Sequence, residues 1–202
     1  MRQRMLKLYE FLTGSALWAA FAIFIVGLSV RVTYFYASSK KECHRADLKT
    51  AVRSNIQWLI RPGAGSRPRP VFSMAFILFH VSLFGVPLFL LAHNTLWEEA
   101  FNISLPSLPD SFADTLTVVF LISALVLACR RIFGVEARSL STVRHYSMLG
   151  LTIAPFLTGF LAYHQIGSYE LNMILHVIFA EILLIVIPFS KMSHIALFFR
   201  SK

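Results

Sequence analysis

Five long apolar stretches alternate along this sequence with short polar or basic connections. Because an α-helix rises about 1.5 Å per residue, roughly 20 apolar residues cross the hydrocarbon core of a bilayer. The stretches that reach this length are residues 11–36, 72–94, 114–133, 146–164 and 170–198. The pattern predicts an all-α, polytopic membrane protein whose five transmembrane helices form one bundle, a single domain over residues 1–202.

The composition agrees with this class and excludes others. Of 202 residues, 56% are hydrophobic and 14% are charged, which is too apolar for a soluble domain. The net charge is +9, but Lys and Arg lie between the apolar stretches and not on one basic face, so nucleic-acid binding is not expected. Cys43 and Cys129 form no CxxC motif, which argues against a disulfide framework and against covalent c-type haem.

The charges of the connections predict the orientation. Residues 38–70 carry eight Lys and Arg, whereas residues 94–112 carry Glu98, Glu99 and Asp110 and no basic residue. Since cytoplasmic loops hold the excess of Lys and Arg, the first connection is predicted to be cytoplasmic. We therefore expect a multi-pass protein of the inner (cytoplasmic) membrane with the N-terminus outside and the C-terminus in the cytoplasm.

The N-terminus resembles the start of a signal sequence. After MRQRMLK, however, the apolar stretch continues to about Tyr36 without a convincing cleavage site, so it is expected to remain as the first span. Arg2, Arg4 and Lys7 would then lie outside, and the more numerous basic residues of the inner connections should outweigh them.

The first cytoplasmic connection, about residues 38–70, contains an amphipathic pattern. Leu48, Val52, Ile56 and Leu59 recur at helical spacing, with basic residues on another side. This predicts an interfacial helix that lies on the lipid surface; docking of a soluble electron-transfer partner is the alternative.

Histidines mark two of the apolar stretches. His176 and His194 are 18 residues apart in the last stretch, which makes about five turns and about 27 Å on one helix face. His80 and His93 lie in the second stretch. A histidine inside a membrane is costly, and ligation of iron by the neutral imidazole offsets that cost, although an interhelical hydrogen bond is the alternative for a single histidine. Four such residues predict two bis-histidine haems stacked across the membrane, an arrangement suited to electron transfer.

The direction of the helices predicts the ligand pairs. The second and fifth spans run in opposite directions, so His80 should pair with His194 on the cytoplasmic side. His93 should pair with His176 on the outer side.

The position of His93 is the weak point of this pairing. It lies 13 residues after His80, which turns it away from the face of His80 on a straight helix. Gly85 and Pro87 lie between them, and a proline can kink a helix and redirect the residues beyond it. His164, at the outer end of the fourth stretch, is the alternative ligand of the outer haem.

These histidines also carry a resemblance to a known family. The segment LHVIFAEILLIVIPFSKMSHI, residues 175–195, resembles the last helix of the cytochrome b (gamma) subunit of respiratory nitrate reductase. Three further segments agree in order: GLSVRVTYFYASS, FHVSLFG and CRRIFGVEARS. The resemblance covers nearly the whole chain. The same superfamily includes membrane subunits of heterodisulfide-reductase-like complexes and of the redox complexes of sulfate-reducing organisms.

The resemblance implies a five-helix subunit with two haem b groups. It would exchange electrons between a quinone pool, menaquinone-like, and a cytoplasmic iron–sulfur electron-transfer or catalytic subunit, alongside other membrane or outer-face redox subunits. The ligand pattern of the family matches His80, His176 and His194 here, but its remaining histidine position falls on Leu90 and not on His93. The lysine that binds quinol in nitrate reductase has no counterpart, which favours the sulfur-metabolism or heterodisulfide-like branch.

Other polar residues are weaker candidates. Arg31, within the GLSVR segment, is a candidate partner for an anionic haem propionate. Glu181 is the only acidic residue deep in a span, and either relays protons or pairs with a polar neighbour. Tyr163, His164 and Glu170 lie at the outer boundary, where a quinone headgroup could bind.

Two other functions stay open at this point. One is a haem-free membrane scaffold or transporter subunit whose histidines bind protons or a metal. The other is a cytochrome b with a single haem.

Overall fold

The computed structural model describes residues 2–39, 70–139 and 141–190. Within these ranges every regular element is a helix. The elements are α1 (Arg2–Phe11), a π-helical segment (Leu12–Ala16), α2 (Leu17–Ser39), α3 (Pro70–Phe89), α4 (Leu91–Phe101), α5 (Asp110–Phe133), α6 (Val135–Ser139), α7 (Val143–Tyr163) and α8 (Tyr169–Phe189).

Five helices of the described residues are long and apolar enough to cross a membrane. They are Gln3–Tyr34, which joins α1, the π-helical segment and most of α2, and then α3, α5, α7 and α8. The prediction of an all-helical, multi-pass membrane protein is confirmed at this level. The amphipathic helix of residues 38–70 and His194 fall largely or wholly outside the described residues, and the predicted orientation stays a prediction.

The chain divides into two compact units. We call residues 59–156 the central unit, and residues 1–58 with 157–202 the terminal unit. Helix α7 contributes its first part to the central unit and residues 157–163 to the terminal unit. The prediction of a single domain over the whole chain stays a prediction.

Stacked aromatic rings form the core of the central unit. The ring of Phe120 on α5 stacks on Phe156 of α7 with centroids 3.8 Å apart, and on Phe79 of α3 with centroids 4.8 Å apart. Val86 and Ala124 complete this buried cluster. The Phe120 ring therefore packs α5 against both α3 and α7.

Contacts within the central unit also give the direction of its helices. Phe79 and Gly85 of α3 lie beside Phe120 and Leu116 of α5, so residue numbers rise along one helix as they fall along the other. The same reversal relates α5 to α7, because Tyr146 donates a hydrogen bond to the carbonyl of Arg131. Within the central unit the second, third and fourth spans therefore alternate in direction.

The second span ends earlier than the sequence predicted. The apolar stretch continues to residue 94, but α3 ends at Phe89, and Leu90 is extended with φ −71° and ψ 130° before α4 begins. The carbonyls that a continuous helix would bond internally then have other partners: Leu108 N donates to Phe89 O at 2.8 Å, and the ring of His93 bonds Pro87 O. His93 therefore lies beyond the span and not within it.

In the terminal unit the first span packs along the last. Leu12 of the π-helical segment lies in a buried cluster with Ile174 and Val177. About four turns further along, Gly27 approaches Pro188 so closely that a Cβ on the glycine would lie 2.7 Å from the proline Cβ. Since the contacts advance in the same direction on both helices, the two spans run parallel, as first and fifth spans must.

Candidate functional site

The ring of His80 is oriented by its own helix. Its Nδ1 lies 2.8 Å from the carbonyl oxygen of Phe76, one turn earlier on α3. A carbonyl only accepts, so in the neutral ring the proton lies on Nδ1 and Nε2 carries the lone pair. The rings of Phe76 and Phe79 flank the imidazole, with centroids 4.2 Å and 5.2 Å away. With its proton on Nδ1, this half-buried histidine can bind a metal through Nε2. Hydrogen bonds from Nδ1 to a backbone carbonyl usually orient metal-binding histidines.

His93 has the same type of hydrogen bond in a different setting. It lies in the first turn of α4, and its Nδ1 is 3.2 Å from the carbonyl oxygen of Pro87. The break at Leu90 brings this carbonyl within reach, because it ends the regular bonding of α3. Pro87 lies inside α3, and the interruption before His93 is a helix break at Leu90 and not a kink at the proline.

His176 lies in the middle of α8 and is half-buried. Its imidazole contacts the backbone of α7 at Gly159, where a Cβ would be 2.9 Å from Nδ1 and 3.1 Å from Cε1. No other residue type at position 159 would leave the ring where it is.

His164 differs from the other candidates in its exposure. It comes directly after the last residue of α7, and its ring contacts Phe160 and Tyr163 with centroids 4.3 Å and 5.1 Å away. It is exposed, whereas His93 is half-buried. The structure therefore leaves His93 as the more protected of the two alternatives for the outer ligand, and burial from water favours a stable haem site.

Arg31 contacts the end of the last span. Its Nη1 donates a hydrogen bond of 2.9 Å to the carbonyl oxygen of Pro188, close to the C-terminus of α8. This carbonyl is one of those that a helix end leaves without an internal partner, and a cation there also suits the helix dipole. A guanidinium has five N–H donors, so this bond is compatible with the predicted contact to an anionic propionate.

The two units divide the predicted ligands between them. His80 and His93 belong to the central unit, and His164, His176 and Arg31 belong to the terminal unit. Each predicted iron pair takes one histidine from each unit, so both pairings stay predictions. Among the described residues no three His, Cys, Asp or Glu side chains converge in a way that could hold a metal ion. A bis-histidine haem would need only two protein side chains.

Glu181 lies on the stripe of α8 that faces the first span. It is 8% exposed and shares this stripe with Ile174, Val177 and Pro188. Its Oε1 has no hydrogen-bond partner among the residues that the structure describes. The sequence placed this carboxyl deep in a span, and the structure adds that the side chain is buried.

Sequence reasoning missed two residues of the candidate site. One is Gly159, whose role depends on a neighbouring helix. The other is Asn94, which is 3% exposed and donates through Nδ2 to the carbonyl of Leu105 at 3.2 Å. This bond holds the 102–109 connection against α4, next to His93. The only signal in the sequence was an amide at the end of an apolar stretch.

Comparison with known proteins identifies a relative of this chain. No protein-family model matches the chain. A protein of Nitratidesulfovibrio vulgaris (strain Hildenborough), described only as "Protein", is 43% identical over 204 residues, covering 96% of this chain and 90% of the relative. The similarity therefore extends over all five spans and is not confined to one helix.

Proposed function

The chain belongs to the same family as the Nitratidesulfovibrio vulgaris protein, and we propose that it is a membrane di-haem cytochrome b subunit similar to the gamma subunit of respiratory nitrate reductase. In this proposal it transfers electrons across the membrane, between a menaquinone-like quinone pool and a cytoplasmic iron–sulfur partner subunit of a respiratory redox complex. Its chemistry is electron transfer, and a quinone is the only dissociable substrate proposed for it.

The observation that supports this proposal best is the hydrogen bond of His80. An imidazole within an apolar span donates from Nδ1 to the Phe76 carbonyl, 2.8 Å away, and so presents the Nε2 lone pair. Backbone carbonyls that accept a hydrogen bond from the other ring nitrogen orient metal-ligating histidines in this way and raise their basicity. His93 repeats the arrangement with Pro87. The Nε2 lone pairs of His80 and His93 therefore suit a haem iron.

The ligands are proposed as the sequence spacing indicates. His80 and His194 would hold the cytoplasmic-side haem, and His93 and His176 the outer-side haem, with His164 as the alternative to His93. Bound haem supplies the one-electron chemistry, while the chain orients the imidazoles and surrounds them with apolar side chains. Two histidines on each haem would leave no open site for oxygen, which favours outer-sphere electron transfer.

The quinone and the partners are proposed from the resemblance. A headgroup at the outer boundary would lie near Tyr163, His164 and Glu170, all of which are exposed. The basic connections predicted to face the cytoplasm would meet the iron–sulfur subunit, and other membrane or outer-face redox subunits would complete the complex.

The proposal is tested by the visible spectrum of the purified protein. The chain is extracted from membranes in mild detergent, and a reduced-minus-oxidised spectrum and the haem-to-chain ratio are measured. We expect a b-type α-band and about two haems per chain. His80→Ala and His176→Ala should each remove one haem. The matched control is His145→Gln, because His145, in the first turn of α7, accepts a hydrogen bond from Thr142 N and glutamine is a usual acceptor at this position.

The outer ligand is decided by two further variants. His93→Ala and His164→Ala are made separately, and the variant that loses the outer haem identifies the ligand. Absence of any b-type band in the wild-type protein would refute the proposal in favour of a haem-free scaffold or transporter subunit. A ratio of one haem would favour the single-haem alternative.

A further inference from the structure

The backbone of α7 and the ring of His176 approach each other unusually closely. Gly159 lies in α7, and an added Cβ would be 2.9 Å from Nδ1, 3.1 Å from Cε1 and 3.9 Å from Cγ of His176. Carbon and nitrogen atoms that are not bonded ordinarily stay about 3.5 Å or more apart. The contact therefore requires glycine, and both residues belong to the terminal unit.

We propose that Gly159 is a positioning residue for His176. The bare Cα of α7 receives the Nδ1 and Cε1 edge of the imidazole, so that this edge faces α7 and Nε2 is directed elsewhere. An imidazole side chain has two torsion angles, and a ligand must hold both of them to present its lone pair to iron. The inference rests on the proposed function, because it assigns His176 to a haem.

The same helix contains a glycine with different surroundings. Gly150 is exposed, and a Cβ there would meet nothing within 4 Å. Gly150→Ala therefore adds the same methyl group to the same helix without touching a neighbour. Any effect of Gly159→Ala that is absent from Gly150→Ala comes from the contact and not from the change in helix propensity.

An alanine at position 159 would force a displacement. Either the ring of His176 rotates away or α7 and α8 separate, and both movements displace Nε2 from its place. Loss of an outer-shell group that orients a metal ligand typically weakens binding about 10- to 100-fold. We expect Gly159→Ala to weaken the haem ligated by His176 by this factor and to change its midpoint potential. The other haem should be unaffected.

The experiment compares wild type, Gly159→Ala and Gly150→Ala as full-length proteins in detergent. The haem-to-chain ratio, a potentiometric titration of the α-band, and the low-spin haem signals in electron paramagnetic resonance are measured. The expected result is loss or shift of one redox component in Gly159→Ala only. If Gly159→Ala retains both components at wild-type potentials, the inference is wrong.

A double-mutant cycle covers the case in which Gly159→Ala disturbs folding, and it needs no haem. Gly159→Ala is combined with His176→Ala, so that the added methyl has no ring to meet. We expect Gly159→Ala to lower the melting temperature by a few degrees in the wild-type background and to have little effect in the His176→Ala background. An equal loss in both backgrounds overturns the inference. A wild-type protein without haem refutes the proposed function, whereas this cycle still decides the contact.

Discussion

Replacement of Phe120 by alanine tests the aromatic core of the central unit. The Phe120 side chain is fully buried, with 0% exposure, and its ring stacks on Phe156 and Phe79 at centroid distances of 3.8 Å and 4.8 Å. An aromatic pair contributes about 0.5–1.5 kcal/mol beyond the area that it buries. Two pairs therefore contribute about 1–3 kcal/mol, before the cavity left by the missing ring is counted.

The surrounding bilayer reduces the rest of the stability cost of Phe120→Ala. Phe→Ala substitutions in soluble cores cost about 3–5 kcal/mol, part of which is transfer of the ring from water. A helix separated from its neighbours within a membrane exposes its side chains to lipid, so this transfer contribution is small and packing dominates. We expect Phe120→Ala to lower the free energy of unfolding by about 2–3 kcal/mol, which corresponds to roughly 4–12 °C in melting temperature for a chain of this length.

The assay is thermal denaturation in detergent, monitored by far-ultraviolet circular dichroism. The matched control is Phe133→Ala, since Phe133 lies on the same helix and is 78% exposed. Phe120→Leu should restore part of the loss because it fills part of the cavity. If Phe120→Ala and Phe133→Ala lower the melting temperature equally, the stack does not hold α3, α5 and α7 together and the reasoning is refuted.

Three further predictions concern contacts between segments. Gly27→Ala should cost about 1–3 kcal/mol, because the new Cβ would lie 2.7 Å from the Cβ of Pro188; the melting temperature measures this. Arg31→Gln should cost about 1.5 kcal/mol by removing the charge-assisted bond to the Pro188 carbonyl, also measured by melting. Asn94→Leu should cost about 0.5–1.5 kcal/mol, because the bond to Leu105 O is lost, and should accelerate limited proteolysis within residues 102–109.

Each of these has a control in the same chain. Gly150→Ala meets no neighbour and should not lower the melting temperature, and the higher helix propensity of alanine should raise it slightly. Arg138→Gln and Thr95→Val alter exposed residues and should have small effects. A variant that behaves like its control would contradict the contact assigned to it.

Hydropathy located the spans because membrane insertion depends on a local property, the length of an apolar run. The predicted stretches 114–133 and 146–164 correspond to helices Asp110–Phe133 and Val143–Tyr163. The second span shows the limit of this reasoning. Residues 90–92 are as apolar as those before them, and a hydropathy profile does not detect that Pro87 O and Phe89 O bond to His93 and Leu108 instead of to the next turn.

The candidate haem ligands also differ in what the sequence could predict and what it could not. Spacing selected His176 together with His194, because the period of a helix and the thickness of a bilayer are fixed quantities, whereas His80 was selected by its place within a span. The proton position on His80 is set by a carbonyl one turn away on its own helix, which spacing does not reveal. The need for glycine at position 159 depends on a second helix that lies next to His176.

The sequence by itself determined that this protein crosses a membrane on apolar helices and that certain histidines lie within them. Those properties depend on composition and period along one segment. The tertiary structure decided where the second span breaks, which rings stack, and why position 159 beside His176 must be glycine. These features arise from contacts between residues distant in sequence, and their energies do not exist until the helices are side by side.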